Sequence, residues 1–206
     1  MKRILSLLTL LLAFAALAGV AQADTLVFTA TLSGLNENPQ NASPGTGTAV
    51  VTVDGNMMTV SVTFSGLVTT TSTGSPSGVT AAHIHCCALP PTNAGVATAV
   101  PTFPGFPSGV NSGTYLQTFD LSLASTYNPA FITARGGTVA AAQAAFLAGL
   151  QSGQTYLNIH SNAFPGGEIR GQLQPVPEPT TLLLLGTGLA GVALRRRKRQ
   201  TKQRES

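Results

Sequence analysis

A period of two in the hydrophobic pattern constrains this fold more than any other feature of the chain. Residues 48–53 and 58–64 are rich in β-branched side chains, and Asp54-Gly55-Asn56 lies between them. Successive side chains on a strand point to opposite faces, and glycine accepts the positive φ that a tight turn requires. The two runs therefore predict a β-hairpin. Similar alternation predicts further strands at residues 26–32, 115–123, 155–160 and 168–173.

Two short helices are predicted between the later strands. Asn128-Pro129 is typical of a capped helix start, and Gly136-Gly137 would end that helix. Thr138 can cap a second helix, in which apolar residues recur at helical spacing as far as Leu150. The whole pattern predicts an all-β fold: one antiparallel β-sandwich or barrel-like domain that carries one or two short helices.

The two ends of the chain differ in composition from the part between them. Residues 1–23 combine a basic start, an apolar run and a small-residue end, which predicts a secretory signal peptide. Residues 175–206 have three parts: a motif at 176–179, an apolar helix at 180–194 and a basic tail at 195–206. The apolar helix is predicted to be transmembrane but is shorter than the about 20 residues that a stable span needs. We therefore expect a transient inner-membrane anchor, with a single domain at residues 24–174.

The charge of the domain differs from that of the whole chain. The full sequence has a formal net charge of +4, but nearly all its lysines and arginines lie in the two end segments. Within residues 24–174 only Arg135 and Arg170 oppose five carboxylates. The domain is mildly acidic, which argues against nucleic acid as a partner.

All three histidines lie on two predicted strands. His83 and His85 share one strand face, and His160 lies on the polar face of a strand where Leu157 and Ile159 are apolar. If these strands are neighbours, three imidazoles converge, and the ions that suit such a ligand set are copper or zinc. The alternative is structural, with the histidines hydrogen-bonded to each other, to Asn158 or to Glu168.

The second hairpin places further polar groups near that site. Pairing that keeps Ile159 on the face of Ile169 puts Glu168 and Arg170 beside Asn158 and His160. Glu168 and Arg170 could pair with each other or orient the histidine. No nucleophile elbow or phosphate-binding glycine pattern is present in the sequence, and no catalytic residue is predicted.

The only two cysteines are adjacent, in a chain that is predicted to be exported. Export favours oxidation, and the two cannot join distant elements, so a vicinal Cys86–Cys87 disulfide is the first interpretation. Strand alternation places Cys87 on the face of His83 and His85, which also makes it a weak candidate metal ligand. A link to another molecule is the third alternative.

The domain resembles one known family in several motifs. Ala82-His83-Ile84-His85, Tyr156-Leu157-Asn158-Ile159-His160 and Gly167-Glu168-Ile169-Arg170-Gly171-Gln172 are similar to motifs of the CHRD domain, first described in chordin. The resemblance covers residues 24–173. It implies an extracellular all-β domain and brings no catalytic residues.

The C-terminal segment resembles a PEP-CTERM sorting signal. Pro177, Glu178 and Pro179 precede the apolar helix and the arginine-rich tail, in the order that this signal has. The resemblance implies a Gram-negative bacterium in which an exosortase removes the tail, while the N-terminal segment is removed by signal peptidase. We expect a noncatalytic protein of the cell envelope, outer surface or extracellular matrix, with matrix polysaccharide or surface proteins as partners. The alternative is a secreted copper- or zinc-binding protein that uses the three histidines.

Overall fold

The computed structural model describes residues 25–176, 186 and 188–193. The predicted signal peptide and the motif residues 177–179 lie outside the described residues. The chain divides into two compact units, Met1–Pro175 and Val176–Ser206. In the second unit residues 186 and 188–193 are helical. Among all described residues, no helix has the length and apolar character that crossing a membrane requires.

The first unit is built on one antiparallel sheet. Its strands are β1 (Leu26–Ser33), β2 (Thr46–Asp54), β3 (Met57–Ser65), β4 (Val79–Cys86), β5 (Gly113–Asp120), β6 (Thr155–Ser161), β7 (Ile169–Gln172) and β8 (Gln174–Pro175). The order across the sheet is β4-β6-β7-β1-β2-β3-β5, and β8 pairs with β1. The sheet forms a curled half-barrel. The prediction of an antiparallel, barrel-like β domain is confirmed.

The predicted turn joins β2 to β3. Asp54 pairs with Met57, so only Gly55 and Asn56 lie between the strands. Gly55 has a φ of 56°, the left-handed conformation that glycine adopts without a steric cost. The hairpin prediction is confirmed.

Two helices cover the concave side of the sheet. In α1 (Pro129–Ala134) the Asn128 side chain accepts a hydrogen bond from the Ala130 amide, and in α2 (Val139–Gln151) Thr138 accepts one from Ala141. Both caps are those expected from the sequence. α2 packs Ala142, Phe146 and Leu150 into the core, where each is fully buried.

The two faces of the sheet have different chemistry. Ala82, Ile84, Leu157 and Ile159 are buried in the hydrophobic core. Ile159 pairs directly with Ile169, as the predicted register requires. The alternate residues of β4, β6 and β7 therefore form a second face, directed away from the core, and this face carries the histidines.

A long segment, residues 88–112, covers the free edge of β4; we call it the covering loop. The Ala97 amide donates to the Ile84 carbonyl at 2.9 Å, and the Phe103 amide donates to the Ala82 carbonyl at 3.0 Å. These bonds satisfy backbone groups that an exposed edge strand would leave free. The covering loop thus closes the sheet edge and at the same time buries the histidine face.

Candidate metal centre

Neighbouring strands bring the three histidines together. β4 and β6 pair so that His83 lies opposite Asn158 and His160 lies opposite Ala81. The ring centroids of His83 and His160 are 5.3 Å apart, and those of His83 and His85 are 5.9 Å apart. His83 and His85 are 6% and 8% exposed, and His160 is half-buried. The predicted convergence of three imidazoles on one face is what the structure contains.

Each imidazole donates a hydrogen bond from one ring N–H to a backbone carbonyl oxygen. His85 Nδ1 lies 2.9 Å from the Ala94 oxygen, and His160 Nδ1 lies 2.9 Å from the Pro165 oxygen. His83 Nε2 faces the Pro101 oxygen. A carbonyl can only accept, so the nitrogen that faces it carries the proton in the neutral ring. The tautomer of each histidine is thereby fixed.

The other ring nitrogen of each histidine has no hydrogen-bond partner. These atoms are His83 Nδ1, His85 Nε2 and His160 Nε2, and all three are buried. One nitrogen from each histidine lies within 4.8 Å of the other two. Ligands about 2 Å from a shared ion lie roughly 3–4 Å apart. The three imidazoles therefore lie close enough together to be candidate ligands of one ion.

Burial keeps the three imidazoles neutral. It lowers the pKa of His83 and of His160 below the ordinary value, and it lowers the pKa of His85 to about 4. The carbonyl hydrogen bonds oppose this effect but are the smaller influence. At pH 7 the inward nitrogens hence hold lone pairs, which is the form that binds a metal ion.

His85, Tyr156 and Arg170 form a stack of side chains. Its ring lies parallel to Tyr156, with centroids 4.7 Å apart. The Arg170 guanidinium carbon lies 3.7 Å from the centroid of the same tyrosine. Arg170 also donates to Asn93 Oδ1 at 2.7 Å, which ties β7 to the covering loop. Arg170 therefore contacts the tyrosine that stacks on His85, and its role in orienting a histidine stays a prediction.

Glu168 does not take either role that the sequence suggested. Its Oε1 accepts from Ser43 Oγ at 2.7 Å and from the Val68 amide at 2.6 Å. β7 begins only at Ile169, so Glu168 lies in the preceding turn and its carboxylate faces those two loops. The expectation that it pairs with Arg170 or orients His160 was wrong.

The cysteines lie at the end of β4. Cys86 and Cys87 form a disulfide. β4 ends at Cys86, so strand alternation does not extend to Cys87, and its sulfur lies 3.6 Å from the Ala145 carbonyl oxygen of α2. The interpretation of Cys87 as a histidine-side ligand fails because its sulfur is in the disulfide and is directed at the helix.

Glu37 is a buried acid that sequence reasoning did not assign to the site. It follows β1, is 6% exposed, and its Oε1 has no hydrogen-bond partner. Burial raises its pKa to about 7, although Arg170 and Asn158 act in the opposite direction. Glu37 lies in a loop after β1, and nothing in local periodicity could place it beside β6 and β7.

Two family models match the chain. The CHRD domain matches residues 28–173, and the PEP-CTERM protein-sorting motif matches residues 175–198. The first match contains all three histidines, and the second contains the Pro-Glu-Pro motif. Comparison with curated proteins and with solved structures gives no significant match.

Proposed function

This chain belongs to the CHRD domain family, and we propose that it is a metal-binding protein of the cell envelope or extracellular matrix that holds copper or zinc. Its PEP-CTERM motif makes it an exported protein that an exosortase sorts. Such sorting implies the envelope of a Gram-negative bacterium. The finer location, at the outer surface or in the matrix, is part of the proposal.

The metal assignment rests on three histidine nitrogen atoms that have no hydrogen-bond partner. His83 Nδ1, His85 Nε2 and His160 Nε2 are buried without partners, and a buried acceptor without a partner costs free energy. Their opposite nitrogens are all fixed by carbonyls, as is usual for histidines that bind metals. An ion would satisfy all three nitrogens at once.

The ligand set favours copper over zinc. Three neutral imidazoles suit either ion, but at an equal nitrogen site the affinity for Cu²⁺ exceeds that for Zn²⁺. The disulfide leaves no thiolate at this position, so soft sulfur ligation does not contribute. Three protein ligands also leave a coordination position for water or another small ligand.

The test is metal content and affinity of the exported protein, with the double variant His83→Ala/His85→Ala. We expect near-stoichiometric copper after incubation with copper and zinc together, and a loss of affinity above about 100-fold in the variant, beyond what outer-sphere changes cost. Asn158 pairs with His83 across the two strands. The variant Asn158→Ala is the control, because it removes a polar neighbour of the site but no imidazole.

Two results would contradict the proposal. One is the absence of bound copper and zinc in a folded protein. The other is equal affinity in the wild type and in a double variant that unfolds with the same cooperativity. In either case the histidines would be polar residues that hold nearby carbonyl groups, His83 and His85 in the covering loop and His160 at Pro165.

A further inference from the structure

Two adjoining hollows lie beside β1, and the covering loop lines the first of them. The first has a volume of about 560 Å³ and includes Glu37, Arg170, Thr31 and Gln172 in its lining. The second, about 440 Å³, runs over β1 and β2 and also includes Thr31 and Gln172. Because the two hollows share these residues, they form one elongated depression, which we call the cleft.

The lining of the cleft combines apolar surface, which is the larger part, with uncharged polar groups. The polar groups are amide side chains, mainly in the first hollow, and threonine hydroxyls, mainly in the second: Asn36, Asn38, Gln40, Gln172, Gln174, Thr29, Thr31 and Thr48. Amides and hydroxyls can both donate and accept hydrogen bonds. Leu35, which is 69% exposed, and Pro90 add apolar surface at one side.

The two charged residues that line the cleft are buried, so they offer little surface to a ligand. Arg170 is 2% exposed and is held by Asn93 and by the carbonyl oxygens of Pro91 and Thr92. Glu37 is 6% exposed, and burial raises its pKa to about 7. The accessible surface of the cleft therefore offers hydrogen bonds without a strong field of either sign.

Hydroxyl groups continue from the cleft across the sheet. Thr31 pairs with Thr48, Thr48 with Thr63, and Thr63 with Thr114. Adjacent strands are about 4.8 Å apart, so these side chains form a regular row. All four are exposed. Of these four threonines, Thr31 and Thr48 line the cleft, while the other two lie outside it.

We infer that the cleft binds a segment of a neutral polysaccharide. Sugar hydroxyls need partners that both donate and accept, which the amides and threonines supply, while the C–H faces of a sugar ring can pack on Leu35 and Pro90. The absence of accessible charge in the lining matches an uncharged chain. The elongated form, with two hollows in series, fits several sugar units. The inference rests on the envelope part of the proposed function and does not depend on the metal.

The test is calorimetric titration of the exported protein with linear hexasaccharides of glucose, of mannose and of N-acetylglucosamine. We expect at least one of them to bind, and its disaccharide to bind more weakly because it fills only one hollow. Thr31→Val and Gln40→Ala should each weaken binding about 3- to 10-fold, the effect of one lost hydrogen bond. Thr63→Val is the matched control, since Thr63 lies in the same row but outside the cleft.

Three outcomes would overturn the inference. They are no binding of any of the neutral hexasaccharides, binding of acidic polysaccharide fragments alone, and equal weakening by Thr63→Val and Thr31→Val. The double variant His83→Ala/His85→Ala separates the two proposals. If that variant loses copper and keeps the sugar affinity, both stand, and if the wild type binds sugar but no metal, only the metal proposal fails.

Discussion

At the scale of single residues, Glu37 shows how burial sets the charge of the region beside the histidines. The carboxyl is withdrawn from water, and its folded pKa is about 7 against an ordinary value of 4.5. Between these values the folded state holds a proton that the unfolded state has lost. This group therefore costs almost nothing well below pH 4.5, destabilises the fold progressively between pH 4.5 and pH 7, and adds no further cost at higher pH.

Replacement of Glu37 by glutamine tests this sign. Glutamine does not titrate. The free energy of unfolding of Glu37→Gln, relative to that of the wild type, should therefore increase from pH 5 to pH 8 by on the order of 1–3 kcal/mol. The measurement is urea unfolding at both pH values with a chelator present. The histidines titrate equally in both proteins, so their contribution cancels in the difference.

The carboxyl of Asp120 provides the matched control, because its hydrogen bonds from Ser122 lower its pKa. Asp120→Asn makes the same acid-to-amide change at a group that is ionised in both states between pH 5 and pH 8, so its stability difference from wild type should not change across that range. If the stability difference of Glu37→Gln were equally independent of pH, Glu37 would be ionised in the folded protein at pH 5. The conclusion that the cleft is nearly neutral would then be wrong.

At the scale of elements, α2 fits against the disulfide only because residue 149 is glycine. A Cβ atom at Gly149 would lie 2.6 Å from Cys86 Sγ and 2.9 Å from Cys87 Sγ. In most helices alanine is favoured over glycine by about 1 kcal/mol. Here the close approach of the helix to the end of β4 outweighs that preference.

We therefore expect Gly149→Ala to destabilise the domain by about 1–3 kcal/mol through overpacking. Thermal unfolding would show this as a fall in Tm of several degrees for a domain of this size. Gly95→Ala is the control, because a Cβ there meets nothing within 4 Å. A Gly149→Ala protein as stable as the control would mean that α2 can shift away from the disulfide at little cost.

The covering loop is the element that sequence patterns describe least well. Its prolines and glycines argue against a central strand, but they do not indicate that Ala94 and Pro101 fix the tautomers of His85 and His83. Those carbonyls belong to residues without periodicity, and their positions depend on bonds to the edge of β4. Alternation alone was sufficient for the histidines themselves, because parity assigns each strand residue to a face.

At the scale of the whole molecule, the strand order explains what the sequence could and could not predict. Both hairpins follow from local turns and local alternation. The neighbours of β4 and β1 do not, because the sheet order β4-β6-β7-β1 departs from chain order. Such long-range pairing brings Glu37 close to Asn158 and forms the cleft beside the histidine site. The candidate ligands were therefore predictable, while the buried acid and the cleft were not.

The division of the chain into a domain and a sorting segment leads to a prediction about the intact protein. The first compact unit ends at Pro175, and the sorting motif matches residues 175–198. Deletion of residues 176–206 should leave cooperative unfolding and copper affinity unchanged, because the histidines and the covering loop lie in the first unit. The same deletion should abolish exosortase processing and delivery to the envelope, which cell fractionation with detection by antibody would measure.

A shorter deletion tests whether sorting requires the motif itself or only a complete C-terminal tail. Removal of residues 201–206 leaves the matched segment intact, so processing and delivery should continue as in the wild type. If the protein that lacks residues 176–206 were also delivered normally, the sorting signal would have to lie in the domain itself. If the long deletion failed to fold, the domain would need residues beyond Pro175.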